Sequence, residues 1–249
     1  MNKIKTLFSR KKNILSVYFT AGFPKLEDTT IILNELEKAG ADMVEIGIPF
    51  SDPLADGPTI QYSNEAALRN GMSMKLLFSQ LQSADRKIPA LLMGYFNPVL
   101  QFGVENFCRK ANETGISGVI IPDLPMDEYR NEYRTIFEKY DLRNIFLITP
   151  QTSEKRIRMM DENSDGFIYM VSSSSTTGAT GGIDRSQERY FQRIRNMNLK
   201  NPLMIGFGIS GNQSFAKACE YASGAIIGSA FIRALKNKVS VTDFIRTIR

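Results

Sequence analysis

Three carboxylates fall within the fifteen residues of Val44–Pro58, and their surroundings differ. Glu45 lies in the apolar run V-E-I-G-I, whereas Asp52 and Asp56 lie in a segment broken by proline and glycine. A carboxylate buried in an apolar strand has a raised pKa, because the charged form loses its hydration. Such a group is suited to proton transfer near neutral pH. The alternative is a strand-end glutamate that faces solvent, with both aspartates as ordinary turn formers.

The residue types that are missing narrow the chemistry further. The sequence has no histidine, which excludes Ser-His-Asp and Cys-His mechanisms as well as His-ligated metal sites. No lysine lies inside a predicted strand, so Schiff-base formation is disfavoured. Cys108 and Cys219 are isolated and match no zinc or redox spacing, which indicates packing residues. Acid-base chemistry is therefore left to carboxylates, lysine, tyrosine or water.

Composition is typical of a globular protein, with 43% hydrophobic and 23% charged residues in a chain of 249. Lys and Arg exceed Asp and Glu by 31 − 26 = 5, but they are scattered, which disfavours nucleic-acid binding. No run approaches the roughly 18 apolar residues of a membrane span. The N-terminus lacks the apolar core of a secretion signal and predicts a short amphipathic helix carrying Ile4, Leu7 and Phe8. We expect a cytoplasmic protein.

The elements that must position the carboxylates are short apolar runs, each followed by a stretch of helical length. Eight such units with no composition shift predict one domain, residues 1–249, folded as a (β/α)8 TIM barrel with a short N-terminal helix. A doubly wound open sheet is the competing interpretation. The predicted strands are Ile14–Thr20, Asp42–Ile48, Pro89–Tyr95, Gly118–Pro122, Asn144–Thr149, Gly166–Val171, Pro202–Gly206 and Ala225–Ile227.

Two glycine-containing loops follow the last two predicted strands. They are Gly206–Ser210 (G-F-G-I-S) and Ile227–Ser229 (I-G-S). Glycines let backbone N–H groups approach a ligand, a helix N-terminus attracts anions, and loops after strands seven and eight commonly bind phosphate in this fold. The alternative is that these glycines only permit tight turns. Together with the carboxylates, the loops indicate cofactor-free cleavage or isomerisation of a small phosphorylated substrate.

Several motifs resemble one family over essentially the whole length of the chain. Val44–Gly57 resembles, position by position, the signature of the tryptophan synthase α subunit family, the indole-3-glycerol-phosphate lyases. Further similar segments are Tyr18–Pro24, Met93–Pro98, Pro122–Pro125, Gly206–Ser210 and Ile227–Ser229. The opening motif is specific to that family, whereas many barrels share the phosphate loops.

The resemblance implies retro-aldol cleavage of indole-3-glycerol phosphate to indole and glyceraldehyde 3-phosphate. In that reaction Glu45 protonates indole C3 and helps to deprotonate the glycerol hydroxyl, while Asp56 stabilises charge at the indole N–H. The expected substrate-binding residues are Phe19, Tyr95, Ile120, Tyr169 and Thr177. The expected phosphate-binding residues are Gly178, Gly208, Gly228 and Ser229.

The loop after the sixth strand departs from the family pattern S-x-x-G-V-T-G. Without gaps, Ser175 replaces a glycine, and Thr177-Gly178 takes the closing positions. A shifted match to Thr180-Gly181 requires three inserted residues, so we prefer the ungapped register. The substitution bears on loop closure and on signalling to a partner.

The resemblance also implies a β subunit that consumes the indole with pyridoxal phosphate, in an αββα complex. It implies no cofactor and no metal for this chain. The exposed apolar character of Pro49–Leu54 suits an interface. The alternatives are a catalytically weakened subunit that mainly activates the β subunit, and another phosphate-binding barrel lyase or isomerase.

Overall fold

The computed structural model describes residues 2–84, 86–172, 184–206 and 208–249. Within these ranges, parallel strands run in chain order as Ile14–Thr20 (β1), Met43–Gly47 (β2), Ala90–Met93 (β3), Gly118–Ile120 (β4), Arg143–Asn144 (β5), Phe146–Ile148 (β6), Ile168–Val171 (β7), Leu203–Gly206 (β8) and Gly224–Ile227 (β9). They form one sheet in the order β5-β4-β3-β2-β1-β9-β8-β7-β6. The order confirms the strand succession that the sequence predicted.

The sheet closes through a strand that is split at a single residue. β5 pairs with β4 and β6 pairs with β7, and only Ile145 separates β5 from β6. Ile145 N donates to Val119 O at 2.9 Å, which keeps this residue attached to the β4 side. The two edges are thus halves of the fifth barrel strand. The (β/α)8 barrel is confirmed, and the alternative of an open doubly wound sheet is wrong.

Helices cover the outside of the barrel and its N-terminal end. They are Lys3–Arg10 (α1), Asp28–Ala39 (α2), Pro58–Arg69 (α3), Met74–Gln82 (α4), Phe96–Phe102 (α5), Val104–Glu113 (α6), Met126–Glu128 (α7), Arg134–Lys139 (α8), Glu154–Asn163 (α9), Arg185–Asn196 (α10), Asn212–Cys219 (α11), Ser229–Lys236 (α12) and Val241–Arg246 (α13), with a π-helical turn at Tyr129–Tyr133 between α7 and α8. In the described part of the chain, no helix is long and apolar enough to cross a membrane.

Strand residues alternate between two separate cores. Side chains such as Ile14, Met43 and Ile226 form a core inside the barrel. Their neighbours, such as Leu15 and Val44, pack between the sheet and the surrounding helices. This alternation follows from the two-residue repeat of a strand, and it decides which side chains can reach the centre of the barrel.

The N-terminal helix closes one end of the barrel, as the sequence predicted. Ile4 is fully buried in the inner core, and Leu7 and Phe8 pack against the same core. Asn2 caps the helix by accepting from Ile4 N at 3.0 Å, and its amide donates to Ser117 O at 3.0 Å. Because α1 fills the N-terminal end, a ligand site has to lie at the C-terminal end of the strands.

Candidate active site

A cavity opens at the C-terminal end of the strands, where the sequence predicted the chemistry. Its empty space is about 650 Å³, including the part that is open to solvent. Its lining within the described ranges consists of Tyr18, Asp56, Ile60, Met93, Tyr169, Gly208, Ile209, Ser210, Ile226, Gly228, Ser229, Ala230 and Arg233.

Glu45 lies on β2 with its side chain turned into the barrel and fully buried. Ser16 Oγ donates to Glu45 Oε1 at 2.9 Å, while Glu45 Oε2 has no hydrogen-bond partner among the described residues. Burial raises the pKa of Glu45 to about 8, and the Ser16 hydrogen bond opposes this rise. At neutral pH the carboxyl is therefore largely protonated and able to give up a proton.

Asp56 lies in the loop between β2 and α3 and lines the cavity. Tyr95 Oη donates to Asp56 Oδ2 at 3.3 Å and accepts from Ala55 N at 3.0 Å. Burial raises the pKa of Asp56 to about 6, and the Tyr95 hydrogen bond opposes this rise. Asp56 is therefore mostly ionised at neutral pH. Of the two carboxyls, Glu45 is thus the more readily protonated, as its apolar surroundings in the sequence predicted.

Two tyrosines extend across the upper barrel because glycines leave room for their rings. A Cβ atom added to Gly47 would lie 2.2 Å from Tyr18 Oη, and one added to Gly206 would lie 2.2 Å from Tyr169 Oη. Burial raises the pKa of both phenols, and the charges of Glu45 and Asp56 raise it further. Both tyrosines therefore remain neutral near the two carboxyls.

The opposite side of the cavity is built from glycine loops. Gly208 has φ +76°, a conformation that favours glycine, and Gly228 and Ser229 form the start of α12. Backbone N–H groups at a helix start carry partial positive charge and bind anions. Arg233, one turn into α12, adds a cationic side chain to the lining. This side of the cavity suits a phosphate group.

The cavity brings together five of the predicted site residues: Asp56, Tyr169, Gly208, Gly228 and Ser229. The other described ones lie around it. Tyr95 holds Asp56 by a hydrogen bond. Glu45 is fully buried, within electrostatic reach of the lining residues Tyr18 and Tyr169. Ile120 belongs to the inner core and is not part of the cavity lining.

Phe19 is the predicted substrate-binding residue that the structure places elsewhere. It is fully buried in the core between the sheet and the helices, because side chains alternate along β1. Its neighbour Tyr18 faces the cavity, so Tyr18 and not Phe19 is the residue of β1 that lines the pocket. Thr177 and Gly178, and the alternative register at Thr180-Gly181, lie outside the described residues.

Tyr18 and Arg233 are among the lining residues that the sequence motifs did not identify. Tyr18 pairs with Glu45 in the β1–β2 register, so a side chain directed inward from Glu45 implies an inward Tyr18. Arg233 lies four residues after Ser229 on α12, on the same helix face. Strand pairing thus indicates Tyr18, and helical spacing indicates Arg233.

A (β/α)8 barrel with two carboxyls of raised pKa and glycine loops at the C-terminal end of its strands belongs to the class of barrel enzymes with their active site at this end. The family model of the tryptophan synthase alpha chain matches residues 4–245. The chain therefore belongs to the tryptophan synthase alpha chain family, and it is an enzyme of tryptophan biosynthesis.

Individual relatives match over 90% or more of their lengths. The tryptophan synthase alpha chain of Flavobacterium johnsoniae is 58% identical, with 100% of both chains covered. That of Bacteroides fragilis is 58% identical over 94% of this chain and 90% of the relative. The crystal structure of tryptophan synthase subunit alpha from Legionella pneumophila str. Paris has a TM-score of 0.88 and 33% identity, covering 100% of this chain and 97% of that one.

Proposed function

We propose that this chain is a lyase that cleaves indole-3-glycerol phosphate to indole and glyceraldehyde 3-phosphate. The observation that carries the proposal is the pair of carboxyls in different protonation states, Glu45 with a pKa of about 8 and Asp56 with a pKa of about 6. General acid-base catalysis requires one proton donor and one ionised group at the pH of the reaction. The glycine loops across the cavity provide a place for the substrate's phosphate.

The first step of the proposed reaction transfers a proton from Glu45 to indole C3. This carbon becomes tetrahedral and the ring nitrogen acquires positive charge, which the Asp56 carboxylate stabilises through the N–H group. Glu45, now a carboxylate, then takes the proton of the glycerol hydroxyl next to the ring. The C–C bond breaks, its electron pair restores the indole ring, and the hydroxyl carbon becomes the aldehyde. Glu45 ends protonated, so the cycle consumes no proton.

Glu45 has to turn its carboxyl from Ser16 towards the cavity before it can reach indole C3. The free Oε2 atom supports this step, because the side chain is held at only one oxygen. Ser16 and Glu45 are both fully buried, so substrate entry has to supply the new contacts of the turned carboxyl. A group held by one hydrogen bond, worth about 1 kcal/mol, changes position at low cost.

The phosphate is proposed to bind at Gly208, Gly228 and Ser229. Gly228 and Ser229 start α12, so their backbone N–H groups point away from the helix towards the cavity. Gly178, proposed for the same role, and Thr177, proposed for substrate binding, lie outside the described residues.

We further propose that the chain works as one catalytic domain, residues 1–249, with a tryptophan synthase β subunit in an αββα complex. The single-domain proposal is supported by Arg249 at the C-terminus, which donates to Gly40 O at 2.7 Å. The partner proposal is supported by the family, whose members are alpha chains, and by Leu54, which is 87% exposed. The expected cytoplasmic location and the expected lack of a cofactor stay predictions.

The test is an indole-release assay on indole-3-glycerol phosphate, with and without the cognate β subunit. The wild-type chain is expected to release indole, and Glu45→Gln is expected to lower kcat/KM by at least about a hundredfold. Asp52→Asn, assayed without the β subunit, is the matched control, because Asp52 is exposed and its carboxylate accepts from Ser51. Near wild-type release by Glu45→Gln refutes the mechanism. No release by the wild type in either condition favours a subunit that only activates its partner.

A further inference from the structure

Three buried hydroxyls form a chain that starts at the cavity. Tyr18 Oη lies 3.4 Å from Thr20 Oγ1, and Thr20 Oγ1 lies 2.7 Å from Ser63 Oγ. Ser63 Oγ donates to Ile60 O at 2.8 Å. Thr20 and Ser63 are fully buried, and Tyr18 is 9% exposed. This series of hydrogen-bonded hydroxyls thus links the cavity, through β1, to the first turns of α3.

The direction of the protons along this chain follows from counting donors. Each hydroxyl carries one proton, and the Ile60 carbonyl can only accept. Ser63 therefore donates its proton to Ile60 O. In the 2.7 Å hydrogen bond between Thr20 and Ser63, Thr20 is then the donor. Thr20 has then no proton left, so Tyr18 is the donor in the 3.4 Å contact between the two hydroxyls. In this arrangement the Tyr18 oxygen is left with lone pairs for the cavity, and it acts there as an acceptor.

The position of Tyr18 identifies the part of a ligand that it faces. A Cβ atom added to Gly228 would lie 3.5 Å from Tyr18 Cβ, so the base of the side chain adjoins the proposed phosphate loop. Its hydroxyl covers Gly47, on the same strand as Glu45. The phenol thus spans the region between the phosphate side and the carboxyls. In the proposed substrate, the hydroxylated three-carbon chain joins the phosphate to the ring.

We propose that Tyr18 Oη accepts a hydrogen bond from a hydroxyl of the substrate's three-carbon chain, which makes Tyr18 a specificity-determining residue. The inference rests on the proposed function and names a recognition contact within it. Burial raises the pKa of Tyr18, and the charges of Asp56 and Glu45 raise it further, so the phenol keeps its proton. The hydroxyl chain positions this acceptor, and the ring itself fills space beside Gly47 and Gly228.

The substitution Tyr18→Phe removes the acceptor that faces the ligand, together with the proton that Tyr18 donates to Thr20. Thr20 still donates to Ser63, and Ser63 still donates to Ile60, so no buried donor is left without a partner. The ring continues to cover Gly47. We therefore expect a folded protein whose thermal unfolding midpoint is close to that of the wild type.

Binding should be measured in the Glu45→Gln background, where turnover does not disturb the equilibrium. Two probes are compared by calorimetry: indole-3-glycerol phosphate, and 3-indolylpropyl phosphate, which lacks both chain hydroxyls. Adding Tyr18→Phe is expected to raise the Kd for indole-3-glycerol phosphate by about three- to tenfold, the value of one hydrogen bond. The Kd for 3-indolylpropyl phosphate is expected to change by less than about twofold. Unchanged affinity for the first probe, or equal losses for both, overturns the proposal.

Thr20 provides the test of the positioning role. Thr20→Val keeps the shape of the side chain and removes the acceptor for the Tyr18 proton, so the phenol turns its proton elsewhere. We expect a loss of affinity for indole-3-glycerol phosphate in Thr20→Val and recovery in Thr20→Ser. Wild-type affinity in Thr20→Val contradicts the proton assignment. Failure of the proposed function is separate, since the wild type would then release no indole at all.

Discussion

Ser16 Oγ donates a 2.9 Å hydrogen bond to Oε1 of Glu45, and both residues are fully buried inside the barrel. The hydrogen bond lowers a pKa that burial has raised to about 8. Activity on the proposed substrate requires Glu45 protonated and Asp56 ionised. The pH profile of kcat/KM is therefore expected to be bell-shaped, with an acid limb near the Asp56 pKa of about 6 and an alkaline limb near 8.

Ser16→Ala is expected to move the alkaline limb to higher pH. The substitution removes a donor that stabilises the Glu45 carboxylate, so the protonated form persists further into the alkaline range. The acid limb should stay in place, because Ser16 has no contact with Asp56. The measurement is kcat/KM against pH, with Ser117→Ala, a buried serine near the N-terminal end of β4, as the control. A limb unmoved in Ser16→Ala excludes Glu45 as the group that titrates there.

Tyr95→Phe is expected to move the acid limb of the pH profile of kcat/KM to higher pH. Tyr95 Oη donates to Asp56 Oδ2 and holds its pKa down, so removing the hydroxyl raises the pKa of Asp56 above about 6. The acid limb then shifts to higher pH, and activity at pH 6 falls more than activity at pH 7.5, while the alkaline limb remains unchanged. The same profile of kcat/KM checks this, and a shift of both limbs together contradicts separate roles for the two carboxyls.

The sequence predicted the barrel, the strand positions and the carboxyl pair, but it assigned the wrong side chain of β1 to the pocket. All seven residues of Ile14–Thr20 are buried, since one face packs inside the barrel and the other against helices. Ser16, Tyr18 and Thr20 nevertheless alternate with Leu15, Val17 and Phe19, so the hydroxyl-bearing side chains share one face of the strand. The motif located the strand, and its pairing with β2 shows that the face carrying Tyr18, not the one carrying Phe19, points into the barrel with Glu45.

The interruption of the fifth strand and one helix were beyond local sequence patterns. The interruption at Ile145 depends on which neighbouring strand each half of the fifth strand pairs with, which is a long-range property. The helix Phe96–Phe102 contains Pro98 and follows directly on a strand end, so its local signal is weak. By contrast, α1 was predictable, because the spacing of its apolar residues alone identifies the face that packs on the barrel.

Burial of Glu45 also predicts how stability depends on pH. The folded pKa of about 8 lies above the ordinary value of 4.5, so between these values the folded protein holds a proton that the unfolded chain releases. The free energy of unfolding should therefore fall as pH rises from about 4.5 to about 8. Glu45→Gln removes this dependence, because glutamine does not titrate. Urea unfolding at several pH values checks the prediction, with Asp52→Asn as the control.

The two curves should be closest at low pH and separate towards pH 8, where the wild type carries a buried charge and the variant does not. Asp56 adds a slope of the same sign over the narrower range between its ordinary value of 3.8 and about 6, and this slope remains in Glu45→Gln. A wild-type stability that rises steadily between pH 6 and 8, relative to Glu45→Gln, contradicts a buried Glu45 with a raised pKa.

Leu54→Ala is expected to weaken binding of the proposed β subunit. Leu54 is 87% exposed on the loop that carries Asp56, and the exposed aromatic Tyr62 lies beside it in one groove. Burying a leucine at an interface stabilises a complex by about 1.5–3 kcal/mol, so its truncation should raise the Kd by about tenfold or more. Isothermal titration with the cognate β subunit measures the change. The folding of the isolated chain should be unaffected, because Leu54 makes little contact with the rest of it.

Ile31→Ala is the matched control, since Ile31 is also a large exposed aliphatic residue, 48% exposed, but it lies on α2. Its truncation removes similar apolar surface outside the Asp56 loop and should leave the Kd unchanged. Equal losses in both variants would indicate a general effect of surface hydrophobicity.

Because Leu54 and Asp56 share one short loop, docking at Leu54 would also restrict the position of the Asp56 carboxylate. The β subunit is therefore expected to raise kcat/KM for indole release in the wild type, and to do so less in Leu54→Ala at a fixed, subsaturating concentration.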